Sequence, residues 1–210
     1  MINKLLKEYI EANVLPKYNK NEEGHGIKHI EYVVRRSLEF AKQVRDVNLD
    51  LVYTIACYHD IGHHIDAKKH ELVSADMFLQ DEGIKQFFTK EEITTIYEAI
   101  QDHRASGNNE PRSVYGRIVS SADRRTDIDN IMKTMCSYCL KHNPHFTIEE
   151  NIEEGYAHLC KKFAYGGYAQ TKMYFKDEEY DNVIERAEWF KNNKSEFVKY
   201  YCKINNIKIN

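Results

Sequence analysis

Five residues in this chain have the types to hold a metal ion, and each extends or borders a predicted buried stripe: His29, His59, Asp60, His103 and Asp123. The pair His59-Asp60 is the clearest. Val52, Ile55 and Ala56 recur at helical spacing, and the pair continues their stripe by one turn. A carboxylate taken out of water is costly unless it is paired or coordinates a metal. For one isolated pair, a hydrogen-bonded core histidine beside an aspartate that caps the next segment is the competing reading. The other three residues repeat the pattern from different helices. His29 borders Ile30 and Val33, His103 follows Ile96 and Ile100, and Asp123 follows Val119 and Ala122. Imidazoles with carboxylates suit Zn, Fe, Ni or Mn better than Ca, and six-coordinate geometry leaves room for water. No thiolate joins the set, which disfavours a structural zinc site.

Such a set needs helices to position it, and the chain reads as helical throughout. Ile2, Leu5, Leu6, Tyr9, Ile10 and Val14 make an amphipathic helix over residues 2 to about 18, closed near Pro16. A polar turn from Asn19 to Gly24 leads to a long helix from near His25 to about Val47. Its inner face carries Ile27, Ile30, Val34, Leu38, Ala41 and Val44, with Arg35, Arg36, Glu39 and Lys42 on the wet side. His25 and His29, spaced i, i+4, share one face of it. The alternative for that pair is two surface histidines at a helix end. The next helix covers 49 to 61, and Gly62 ends it as a residue tolerant of positive φ.

A loop with His63 and His64 at its head runs to Lys69, and His70 then opens a helix with His70, Val73 and Met77 on one face. Thr89 and Glu92 form a capping box for the helix that reaches His103. Arg104 to Arg112 is a loop, and a further helix ends at Asp123. Beyond it, Ile128 to Cys139, a segment opened by the capping box Thr147-Ile-Glu-Glu150, and the apolar sets Val183 to Phe190 and Phe197 to Ile204 are helical. Tyr165-Gly-Gly-Tyr168 interrupts the series.

The 210 residues suffice for a single domain, 1–210, with a real core. Only 9 Gly and 3 Pro leave few turn signals to separate strands, and the charges are interleaved rather than blocked, so an all-α helical bundle is expected. A formal net charge of -3 argues against stable nucleic-acid binding but not against a small anion held by a few arginines. No signal segment and no apolar run of membrane length is present, so we expect no membrane association, a cytoplasmic location and reduced thiols. Cys136-Ser-Tyr-Cys139 is a lone CxxC whose cysteines share a helix face, and core packing is its expected role.

As a set, these residues make the chain resemble the HD superfamily of metal-dependent phosphohydrolases. His29-Ile-Glu-Tyr-Val33 looks like the family's first motif, His59-Asp-Ile-Gly62 like its signature tetrapeptide and Ser121-Ala-Asp123 like its last. His70, in His-Glu-Leu-Val-Ser-Ala, and His103, in Ile100-Gln-Asp-His, resemble the two histidines that two-metal members add. The resemblance covers roughly residues 25 to 125. It implies an HD-type core over about 20–130 and leaves about 131–210 as a C-terminal helical extension that resembles no named subfamily. The chain departs from many members in having His63 rather than lysine after the signature. His25-Gly-Ile-Lys-His29 and His63 share spacings with the family's cyclic-nucleotide phosphodiesterases, in which the first of these histidines protonates the leaving oxygen.

What the resemblance implies is a metal-dependent phosphohydrolase. Its metal ligands would be His29, His59, Asp60 and Asp123, with His70 and His103 at a second position. The cofactor would be one or two divalent metals per chain, from Fe, Mn, Ni, Co and Zn, with Mg also admitted. The partner would be a small phosphorylated substrate, a nucleotide or another phosphorylated metabolite. His25 would be the catalytic acid and Asp60 the central catalytic carboxylate. Arg104, Arg124 and Arg125 lie close in sequence to these residues and are candidates to neutralise phosphoryl oxygens; solvated surface charge is the alternative for each. Lys172, after Gly166-Gly167, is a further candidate. Two other function classes stay open: an HD-type diiron oxygenase using the same six ligands, and a non-catalytic ligand-binding module stapled by metal.

Overall fold

The computed structural model describes residues 1–104, 110–171 and 173–208, which hold eleven α-helices, three short 3-10 turns and no strand. The protein is all-α. The chain divides into two compact units, residues 1–123 with 174–176, and residues 124–173 with 177–210. The expected border of core and extension near residue 130 compares with an observed boundary at Asp123–Arg124. No helix among the described residues is long and apolar enough to cross a membrane.

The first unit contains α1 (Lys4–Asn13), α2 (Ile27–Ala41), α3 (Leu49–Tyr58), α4 (His70–Leu79), the short α5 (Glu82–Lys85), α6 (Lys90–Asp102) and α7 (Val114–Ala122). Helix α3 is its axis: every residue from Leu51 to Tyr58 is buried. A helix that is apolar all round must be enclosed, and α2, α6 and α7 enclose it, with α4 laid on α6. Thr89 caps α6 with the reciprocal Glu92 bond that the sequence predicts. Five helix ends meet at one end of this bundle, the starts of α2 and α4 and the finishes of α3, α6 and α7. These ends carry the five candidate ligands and His70.

The second unit consists of α8 (Ile128–His142), α9 (Ile148–Phe163), α10 (Glu178–Asn192) and α11 (Lys194–Asn205) around Met132, Leu159, Phe190, Phe197 and Tyr201. Thr147 and Glu150 make the expected capping box on α9. After α9 the chain turns at Gly166, whose φ of 79° only glycine adopts readily. Cys136 and Cys139 are buried among apolar residues, and none of the five cysteines forms a disulfide.

Three local expectations need correction. Helix α2 starts after Gly26 rather than at His25, and it stops at Ala41 rather than Val47. His25 lies in a preceding 3-10 turn, and the chain leaves α2 through turns in which Asp46 takes a left-handed φ of 57°. Arg36 is not on the wet side but 2% exposed. Position 36 belongs to the inner stripe with Val33, Ser37 and Phe40, so its place on the helix outweighs its charge. Its guanidinium carbon lies 5.0 Å from the Phe40 ring centroid and 5.5 Å from that of Tyr32, so an apolar stem and a cation over aromatic faces let it be buried.

Third, Gly62 does not take positive φ. It is needed for close approach: a Cβ there would lie 2.7 Å from Val73 Cγ1 and 2.9 Å from the Ser74 backbone nitrogen, while Gly62 N–H donates to Ser74 Oγ at 3.0 Å. The turn after α3 is thereby pressed onto α4, bringing His59-Asp60 towards His70. Gly62→Ala should cost about 1–3 kcal/mol through overpacking. Denaturant unfolding checks this, and a variant as stable as wild type would mean the two segments are free to part.

Candidate metal centre

Asp60 stands between two groups of side chains, 1% exposed, beside His59 at 0%. Its Oδ2 faces the first group, 3.5 Å from His29 Nε2 and 3.6 Å from His59 Nε2. Those two nitrogens are 3.3 Å apart, and Asp123 Oδ1 lies 3.1 Å from His29 Nε2 and 3.8 Å from His59 Nε2. Its Oδ1 faces the second group, 3.2 Å from His70 Nε2 and 3.7 Å from His103 Nε2, which are themselves 3.1 Å apart. Metal bonds of about 2.0–2.2 Å to N and O place neighbouring donors about 3 Å apart. Both groups therefore have the spacing of a ligand set rather than of a packed core.

The tautomers support the same reading. His59 Nδ1 is 2.8 Å from the Ala56 carbonyl, His70 Nδ1 3.0 Å from that of Ala67 and His103 Nδ1 2.6 Å from that of Ile100. A carbonyl only accepts, so each Nδ1 carries the proton and each neutral ring presents a bare Nε2. Every one of these acceptors is three residues back, a carbonyl that the end of a segment offers. The bare Nε2 atoms of His70 and His103 then face each other, an unfavourable meeting of lone pairs unless a cation lies between them. Asp60 Oδ1 is buried with no hydrogen-bond partner among the described residues, which fits a carboxylate oxygen reserved for a metal. The donor set is all nitrogen and oxygen, as imidazole- and carboxylate-binding transition metals prefer. The residues present fit one or two such ions.

Electrostatics in the metal-free protein show where a proton stands in. Burial alone would lower His29, but hydrogen bonds to Asp123 and Asp60 outweigh it and raise its pKa to about 9. Burial lowers His59 to about 4 despite both carboxylates, and burial with neighbouring His103 lowers His70. Burial would raise the two acids, yet the surrounding imidazoles hold Asp60 well below the usual carboxylate range and Asp123 at about 2. The His29 proton stabilises the metal-free fold fully below the unfolded value of 6.5, and that contribution is lost as pH rises through about 9. An ion held by His29, His59, Asp60 and Asp123 would compete with that proton. The gain in Tm on adding Zn should therefore widen from about pH 6.5 to 9. A gain that stays constant over this range would show that metal and the His29 proton do not compete.

His25 is brought to the site from outside α2. Its Nδ1 is 2.6 Å from Asp60 Oδ2, so with His29 and Asp60 it forms a third set of possible donors. Its ring stacks on His63, with centroids 3.8 Å apart and planes at 14°. Arg104 donates to the Lys68 carbonyl and lies 3.2 Å from Glu71 Oε2, next to His70. Arg124 is placed differently: it donates to the carbonyls of Ala169 and Thr171, within the second unit. Arg125 donates to the Thr134 hydroxyl. Lys172 and most of the loop after Arg104 lie outside the described residues. One residue with four polar contacts here was not singled out from sequence, Asn21. It read as an ordinary turn residue, and no spacing rule would have found it, because its partners in the signature turn lie about forty positions further along the chain.

Comparison with known proteins bears on the same residues. The HD domain family model matches residues 26–126. No curated protein matches the chain. A crystal structure of a Lactobacillus plantarum protein, a structural genomics target, is 16% identical, covers 98% of both chains and superposes with a TM-score of 0.44. The chain thus carries an HD domain over residues 26–126, and the His and Asp clusters at one end of its helices are those expected of an HD metal site.

Proposed function

We propose that the protein is a metal-dependent phosphohydrolase acting on a phosphomonoester, phosphodiester or phosphoanhydride of a nucleotide or other small phosphorylated metabolite. The observation that carries the reading is the Asp60 carboxylate, with one oxygen toward His29, His59 and Asp123 and the other toward His70 and His103. These residues would hold one or two divalent metals. When bound, such a metal supplies an acidified water at neutral pH and positive charge opposite phosphoryl oxygens. The Nδ1–H bonds of His59, His70 and His103 fix their rings and keep each Nε2 available. His25, anchored through Nδ1 on Asp60, keeps Nε2 to give a proton to the leaving oxygen. Arg104, held by Glu71 beside His70, would steady a phosphate.

The test is a screen of phosphorylated metabolites with Mn, Ni, Co, Mg and Zn added in turn. Phosphate release that depends on metal is expected. Oxygen consumption by an iron-loaded, coloured protein with no hydrolysis would replace this reading by the oxygenase one. Neither activity, with metal bound, would leave a metal-stapled binding module. A second check separates the two metal positions: His70→Ala with His103→Ala should lower metal content by about one ion per chain and leave the first group filled. Unchanged stoichiometry would reassign these two histidines to substrate contact.

A further inference from the structure

We propose that Asn21 is a positioning residue for the reaction, a clamp that fixes His25 against Asp60. The proposal rests on the reading of His25 as proton donor. The Asn21 side chain ties together the backbones of the two turns carrying those residues. Its Nδ2 donates to the His25 backbone carbonyl at 3.0 Å and to the Asp60 backbone carbonyl at 2.9 Å. Its Oδ1 accepts from the His64 backbone N–H at 3.1 Å and lies 3.0 Å from His64 Nδ1. One amide therefore spans the 3-10 turn Glu23–His25 and the turn that follows α3.

Each turn has only short-range backbone bonds of its own, His25 N–H to the Glu22 carbonyl at 2.8 Å and His63 N–H to the Asp60 carbonyl at 3.0 Å, which shape each turn but do not join the two. The 2.6 Å approach of His25 Nδ1 to Asp60 Oδ2 depends on how these two turns are spaced, and the amide sets that spacing. Asparagine meets a demand that its neighbours in chemistry do not. Aspartate keeps the acceptor but has no donor for two carbonyls, and serine is too short to span them. Asn21 and His25 both precede the matched residues 26–126, so the clamp is a property of this chain's own lead-in segment. That segment has an independent anchor. Tyr18, 1% exposed, donates its hydroxyl to the Cys57 carbonyl at 2.9 Å, so loss of the Asn21 amide should leave the segment docked and the protein folded.

The experiment compares Asn21→Asp and Asn21→Ala with wild type in the Zn-loaded protein. Ring 15N–1H correlation spectra report the tautomer and shifts of His25, and kinetics are measured on an unactivated phosphate ester and on p-nitrophenyl phosphate. Both variants should keep wild-type metal content and helicity. Their His25 ring signals should move or broaden, and kcat on the unactivated ester should fall about 10–100-fold with little change in KM, while the activated ester loses less. Unchanged His25 signals in both variants overturn the clamp, whatever the activities. Moved signals with equal losses on the two esters support the clamp and overturn the proton-donor reading of His25 instead. Moved signals in a protein that hydrolyses no ester support the clamp and count against the phosphohydrolase reading alone.

Discussion

Asp60→Asn will empty both metal positions and lower turnover about a thousandfold or more. The side chain is central to both groups: Oδ2 faces the imidazole nitrogens of His25, His29 and His59, and Oδ1 those of His70 and His103. The change is nearly isosteric, so the 0%- and 1%-exposed surroundings need not collapse, but the negative charge that balances a cation is gone. A single preorganised electrostatic group already contributes about 10²–10³ in rate, and Asp60 serves two positions at once. Removing it also leaves His25 without the carboxylate it faces at 2.6 Å and His29 with Asp123 alone. Elemental analysis decides the matter. Equal metal in wild type and in Asp60→Asn would sink the assignment of the site, and Asp60→Ala serves as a second variant, with circular dichroism to confirm that each is folded.

His25→Ala should keep metal and fold but lower kcat on unactivated esters by about 10²–10⁴, the usual contribution of a positioned general acid. Imidazole is the side chain most often used as a general acid. His25 is held on one side by Asp60 Oδ2 at 2.6 Å and on one face by the His63 ring, so the group is oriented before substrate arrives. p-Nitrophenyl phosphate has a leaving group that needs no protonation and should lose much less. The same short distance gives His25 the reach of a ligand, and metal analysis of the variant separates the two roles. Loss of metal makes it a ligand, equal loss on both esters removes the acid role, and no loss makes it a surface residue.

Much of the site was legible in the sequence because burial and residue type can be read one element at a time. A stripe of Val52, Ile55 and Ala56 that continues into His59-Asp60 says, without any tertiary information, that a charge enters the interior. His103 and Asp123 follow their own stripes by the same logic, and both are found as residues that close a helix, α6 and α7. Capping boxes at Thr89 and Thr147 are local hydrogen-bond patterns, so they too were readable. The all-α class followed from the shortage of turn and strand signals.

Tertiary structure alone decided how these pieces share atoms. Periodicity reports which face of a helix is buried, but not which oxygen of Asp60 meets which histidine. That pairing depends on the packing of five helix ends to a fraction of an ångström. Gly62 shows the same limit: the sequence suggested a turn conformation, whereas the requirement is the approach of Val73 and Ser74 from another helix. Arg36 was assigned by its charge, although its neighbours Tyr32 and Phe40 allow its burial. His25 reaches Asp60 from a 3-10 turn rather than from the helix that its spacing suggested, and Asn21 joins that turn to the signature residues. A side-chain amide that bonds carbonyls in two distant turns leaves no periodic trace in the chain, because its partners are adjacent only after the helices have packed.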